Sequence, residues 1–110
     1  MKNTDFLGEF EQVVLLAVLR MERDAYAVPI LREIEKRTRR SVARGALYVT
    51  LERLEEKGYL DSWLSDPTPE RGGRPKRYYK VKPAGVAALE NSRNALQRMW
   101  EGLEPRRREA

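Results

Sequence analysis

Leu47, Leu51 and Leu54 recur at i, i+4 and i+7, so residues 44–57 predict an amphipathic helix with one apolar stripe. Arg44, Tyr48, Val49, Glu52 and Arg53 fall on its flanks and opposite face. Gly58 supplies the left-handed residue that stops many helices. Upstream, residues 13–19 form an almost unbroken apolar run, which suits a buried strand or a buried helix. Leu7, Phe10, Val14, Ala17, Val18 and Met21 extend it at a spacing that favours a central helix buried on most sides. Asp24, Ala25 and Tyr26 mark a break. A second helix is expected from near Tyr26 to about Thr38, with Ile30, Leu31 and Ile34 inward. Pro29 fits its first turn, where backbone donors lack partners. Residues 39–42 form a short link with room for one or two extended residues.

After Gly58 the pattern shortens. Residues 59–64 suit a strand, and Trp63 is expected in the core at its end. Residues 66–69 and 71–75 are rich in Pro and Gly, a composition that predicts turns. Residues 76–82 read as the returning strand, with Tyr79 and Val81 on one face and Tyr78 on the other. Pro83 opens a last helix at a position proline favours. There Val86, Leu89, Leu96, Met99, Trp100 and Leu103 step close to a coiled-coil seam, interrupted by Arg93. The expected fold class is mainly α with a small β-hairpin: a winged helix-turn-helix plus a C-terminal helix. The expected division is 1–82 for the winged unit, 83–104 for the last helix and 105–110 for a charged, disordered tail.

Composition narrows the chemistry. The chain has 110 residues and carries a net charge of +5, from 22 basic and 17 acidic side chains. A basic excess favours a polyanionic partner. Cysteine and histidine are both absent. That excludes a disulfide framework and removes the usual zinc ligands and general bases. No converging carboxylates replace them, so no enzyme, metal site or cofactor is expected. No stretch is long enough to span a membrane, and the N-terminus has no signal-peptide pattern, so a cytoplasmic protein is expected.

The motifs Leu7-Gly-Glu-Phe-Glu11, Asp24-Ala-Tyr26, Gly45-Ala-Leu-Tyr48, Leu51-Glu-Arg-Leu-Glu55, Gly58 and Gly72-Gly-Arg74 with Tyr78-Tyr79 together resemble the PadR family of bacterial transcriptional regulators. The resemblance covers roughly residues 7–103. It implies a winged helix-turn-helix, a homodimer formed through the C-terminal helix, and repression at pseudo-palindromic DNA operators. The single C-terminal helix is similar to the compact branch of that family. Leu89, Leu96, Met99, Trp100 and Leu103 are then the dimerisation residues. Some PadR-like proteins bind flat aromatic molecules between these helices, which makes a small aromatic effector near Trp100 a further partner. Filling of the seam by Trp100 and Met99 is the preferred reading. Two departures bear on helix boundaries. Ala43 stands where the family often has Ser or Thr, and losing that cap costs about 1 kcal/mol unless Ser41 compensates. Lys82 stands where Thr is common, offset by Pro83.

Two segments are basic without an internal acid: Lys36, Arg37, Arg39, Arg40 and Arg44, then Arg71, Arg74, Lys76, Arg77, Lys80 and Lys82. In a winged helix they flank one groove, and phosphate neutralisation supplies much of DNA affinity. The candidate DNA-binding residues are Arg40, Ser41, Arg44, Gly45, Tyr48, Val49, Arg53, Arg71, Gly72, Gly73, Arg74, Lys76 and Arg77. Arg44 and Arg53 suit guanine edges or phosphates, with phosphate the safer assignment. Gly45 allows close backbone approach. Tyr48 either reaches a phosphate or buries its ring beside the leucine stripe. Val49 suits a thymine methyl, whereas Thr50 suits packing. The alternative function is a winged-helix module that binds protein and not DNA.

Overall fold

The apolar run at 13–19 is helical. In the computed structural model, which describes residues 6–65 and 75–103, it forms the middle of α1 (Glu9–Met21). Then come α2 (Ala27–Thr38), α3 (Arg44–Glu56), β1 (Leu60–Leu64), β2 (Arg77–Val81) and α4 (Pro83–Trp100), with one 3-10 turn at Glu22–Asp24. The architecture is a helix-turn-helix, an antiparallel hairpin and a C-terminal helix.

Each leucine of the 47–51–54 stripe is fully buried, with Val14 and Leu15 of α1 and Ile30 of α2 in the same core. Thr50 is buried beside them, as packing requires of a residue between two stripe positions. α1 is less enclosed than its composition suggests. Leu16 and Leu19 remain exposed, on the side where α4 passes.

Turn chemistry fixes the helix ends. α3 stops through Gly58 at φ +85°, whose amide donates to the Glu55 carbonyl while the Tyr59 amide reaches back to Leu54. This paired closure satisfies carbonyls that helix ends leave open. Between α2 and α3 the left-handed residue is not glycine. Arg39 takes φ 59° and ψ 36°, and its amide donates to the Glu35 carbonyl. The Glu35 carboxylate then accepts the Val42 amide at 3.0 Å, which guides the chain into α3. Ser41 does not replace the missing cap. α3 begins at Arg44 with Ala43 as N-cap and no side-chain hydrogen bond there.

The extended residues expected at 39–42 have a counterpart elsewhere. Tyr26 forms an isolated bridge to Tyr78, and the Tyr79 amide donates to the Ala25 carbonyl at 2.8 Å. The segment before α2 is thus a one-residue third partner of the hairpin. β1 and β2 pair Leu60 with Val81, Ser62 with Tyr79 and Trp63 with Tyr78. Residues directly opposite share a face, so Leu60, Val81 and Tyr79 take the inner side. Trp63 does not enter the core. Its register puts it on the outer face, 47% exposed and stacked on Tyr78 at 6.2 Å.

α4 is seated by its first half. Gly85, Leu89 and Ser92 are buried, and Ser92 Oγ accepts the Leu7 amide at 3.3 Å. Leu89, expected in the dimer seam, is part of the protomer's own core. Beyond Ser92 the helix exposes Leu96, Met99 and Trp100.

Candidate nucleic-acid interface

Burial of the leucine stripe leaves a defined outer surface on α3. Arg44, Gly45, Tyr48, Val49, Glu52 and Arg53 are exposed, Tyr48 at 47%. Tyr48 therefore presents an edge to solvent. No side chain caps the first turn, and the Gly45 position has no atom within 4 Å of where a Cβ would lie. The amides there sit at the positive end of the helix dipole, an arrangement suited to an anion.

The flanking cations are less uniform than the sequence suggests. Arg40 Nη2 contacts both carboxylate oxygens of Glu9 at 2.8 and 3.0 Å, which joins the turn before α3 to the first turn of α1. Arg37 pairs with Glu33, and that hydrogen bond holds the Glu33 carboxyl below its usual range. Lys76 places its ammonium 4.6 Å from the centre of the Tyr26 ring, which itself packs on Tyr78. Arg77 donates from Nη1 to Ser62 Oγ at 2.8 Å. Among the described residues, Arg44 and Arg53 have no carboxylate within ion-pair distance. Ser41 is exposed in the link. Arg71, Gly72, Gly73 and Arg74, the expected wing tip, lie outside the described residues, as does the tail at 105–110.

Behind this surface, Glu11 braces α3. Its carboxylate accepts the Gly8 amide and the Lys57 ammonium, each at 2.9 Å. Burial raises its pKa, but the Gly8 amide, the hydrogen bond and charge of Lys57, and the charge of Arg53 outweigh burial and hold it below the usual carboxylate range. Hydrophobic periodicity does not single out Glu11. The available signal is an acid three residues into a helix, at the position where a carboxylate reaches back to the preceding amide.

A second surface lies between α1 and α4. Leu16 and Leu19 of α1 with Val86, Leu96 and Trp100 of α4 line an open, mainly apolar groove of about 390 Å³. Leu16, Leu19, Val86, Leu96 and Trp100 all lie exposed along this groove. Leu103 follows it, 40% exposed. No helix among the described residues is long and apolar enough to cross a membrane.

Comparison with known proteins agrees with the geometry. The model of the transcriptional regulator PadR-like family matches residues 15–91, from α1 into α4. An uncharacterised protein X of Lysinibacillus sphaericus is 31% identical over 84 residues, 74% of this chain and 72% of that protein. Transcriptional regulator Rv3488 of Mycobacterium tuberculosis is 43% identical over 60 residues, which span 53% of this chain and half of the relative. The X-ray structure of a PadR-like transcription factor from Bacteroides fragilis superposes with a TM-score of 0.67 at 25% identity, covering 86% of this chain and 85% of the other.

Proposed function

Because the chain belongs to the PadR-like family of transcriptional regulators, we propose that it is a repressor that binds a pseudo-palindromic DNA operator as a homodimer. The observation that carries this reading is the outer face of α3. Arg44, Gly45, Tyr48, Val49 and Arg53 are exposed while every leucine of the same helix is buried. In this reading α3 enters the major groove, with Arg44 and Arg53 on phosphates or guanine edges and Val49 against a thymine methyl. The first-turn amides near Gly45 approach a phosphate. Arg40 and Ser41 contact the backbone before α3. Lys76 and Arg77 at the base of the wing, and Arg71, Gly72, Gly73 and Arg74 at its tip, contact it after. Residues 1–82 form the DNA-binding unit and 83–104 the dimerisation helix.

The groove between α1 and α4 supports the homodimer. A two-fold pairing meets each such surface with its own copy, so Leu96, Met99, Trp100 and Leu103 lie against the partner and serve the seam rather than an effector. Two α3 helices then face half-sites one DNA turn apart, about 34–36 Å. A cytoplasmic location follows from an operator as target.

The test is duplex selection from a random pool, followed by titration of the selected DNA at rising salt. Specific binding that weakens steeply with salt is expected. Arg44→Ala should weaken it and flatten the salt dependence by about one unit for each phosphate left without its arginine. No duplex binding at low salt refutes DNA recognition and leaves a protein-binding module. A monomer in sedimentation at micromolar concentration refutes the dimer.

A further inference from the structure

The cleft between α3 and the wing, about 410 Å³, is lined by Tyr48, Glu52, Glu55, Arg77 and Tyr79. Two carboxylates beside a surface meant for phosphates oppose simple charge matching. Glu55 has an internal partner that accounts for it. Ser62 Oγ lies 2.9 and 2.8 Å from the two Glu55 carboxylate oxygens and donates to them. The same oxygen accepts the 2.8 Å hydrogen bond from Arg77 Nη1. A hydroxyl carries one hydrogen and two lone pairs, so it serves both neighbours at once.

The register explains the meeting. Ser62 faces Tyr79 and Leu64 faces Arg77, which makes Ser62 and Arg77 diagonal neighbours on one face of the hairpin. Glu55 comes from the last turn of α3. A chain of hydrogen bonds therefore runs from the recognition helix through β1 to the base of the wing. Among the described residues, no carboxylate lies within ion-pair distance of Arg77. The guanidinium is oriented through a neutral hydroxyl and keeps its charge and most of its five donors.

We propose that Glu55 and Ser62 are positioning residues that hold Arg77 in the cleft between α3 and the wing, set to receive a DNA phosphate at the groove edge. This rests on the DNA-binding reading above. It assigns Glu55 a role opposite to its charge: an acid near DNA that strengthens binding by ordering a cation. Preorganising a long side chain removes part of the entropy that binding otherwise costs.

The experiment measures the affinity of the full chain for sheared mixed-sequence duplex DNA, by fluorescence anisotropy across a salt series. Ser62→Ala should weaken binding about fivefold, the order of one charge-assisted hydrogen bond at a partly exposed site. Arg77→Ala should weaken it too and lower the salt slope by about one per protomer. In the Arg77→Ala background, Ser62→Ala should have no further effect, and Ser62→Thr should bind like the wild type. Glu55→Ala, which removes both the charge and the acceptor of the Ser62 hydroxyl, separates the mechanisms by sign. Loss of a negative charge alone tightens binding, whereas loss of positioning weakens it, and only while Arg77 is present. Where Ser62→Ala fails to fold, this exposed helix substitution carries the test. Wild-type affinity in Ser62→Ala or tighter binding by Glu55→Ala, or equal losses with and without Arg77, overturns the proposal. A wild type that binds no duplex overturns the DNA reading itself, and this proposal with it.

Discussion

Gly85→Ala is the most informative single perturbation of the scaffold, because helix propensity and packing give it opposite signs. Gly85 is the third residue of α4. In an unobstructed helix interior, alanine is favoured over glycine by about 1 kcal/mol. Here an added Cβ would lie 2.6 Å from the Tyr59 carbonyl oxygen and 2.8 Å from Val81 Cγ1. The carbonyl is backbone and already accepts the Lys82 amide at 2.9 Å. It therefore cannot turn aside without weakening the bond that leads the chain into α4. Overpacking of this kind costs about 1–3 kcal/mol, and partial loss of the hydrogen bond adds about 1 kcal/mol. The net expectation is destabilisation of about 1–3 kcal/mol. At about 4–8 °C per kcal/mol for a domain of this size, the melting temperature falls by about 4–24 °C. The assay is thermal unfolding by circular dichroism at one fixed protomer concentration, since a dimer's midpoint depends on concentration. Gly45→Ala is the internal control. Nothing lies within 4 Å of its Cβ, so stability should hold or rise slightly while DNA affinity falls through the added methyl. An equal or higher midpoint for Gly85→Ala refutes the claim that α4 is seated on the Tyr59 carbonyl.

Glu11→Gln should destabilise the fold by about 1–2 kcal/mol at neutral pH. Because the folded pKa of Glu11 is lowered, its contribution is fully present above the ordinary carboxylate range and is lost as pH falls through the folded value. The gap between wild type and variant in denaturant melts should therefore close in acid, and a gap independent of pH refutes the role. Arg39→Gly removes a side chain from a left-handed position and should raise stability by about 0.5 kcal/mol while weakening DNA binding. A lower midpoint in urea contradicts the strain argument. Leu96→Asp places a charge on an exposed residue of the proposed seam. It should give monomers in sedimentation at micromolar concentration with weaker DNA binding, and a surviving dimer means the seam lies elsewhere.

The helices were legible because each buries a stripe of large aliphatic residues at helical spacing, and Gly58 announced its own left-handed conformation. Arg39 takes the same conformation without that signal, since the Glu35 carbonyl and carboxylate hold the turn around it. Alternation in the hairpin gave two faces, but which face turns inward depends on where α4 and the Ala25–Tyr26 segment dock. Residue size favoured Trp63 for the core, and docking sent it outward against Tyr78. Leu89 fitted the seam by spacing, yet the same spacing serves the core in the first half of α4. The candidate cations were legible as charge runs but not as partners. Arg40 meets an acid 31 positions away and Arg77 a hydroxyl 15 positions away, and local pattern carries no trace of either.

These partners change what the basic excess can do. Each phosphate neutralised on duplex DNA contributes about −0.9 to the slope of log affinity against log salt. The slope thus reports phosphates neutralised and not cations present. Among the described residues, neither Arg44 nor Arg53 has a carboxylate within ion-pair distance to displace. In a dimer they alone predict a slope of about −4. Arg40 is held by Glu9 in a pair whose side chains are 42% and 72% exposed. Such pairs contribute little, about 0–1 kcal/mol, so a phosphate displaces Glu9 readily. Arg77 needs no displacement, because its hydrogen bond leaves its charge intact. With both joining, the slope steepens to about −7, and wing contacts at Arg71 and Arg74 steepen it further. A slope shallower than about −4 means that α3 does not bring both of its arginines to phosphates, and the recognition face must then read base edges or meet a different partner.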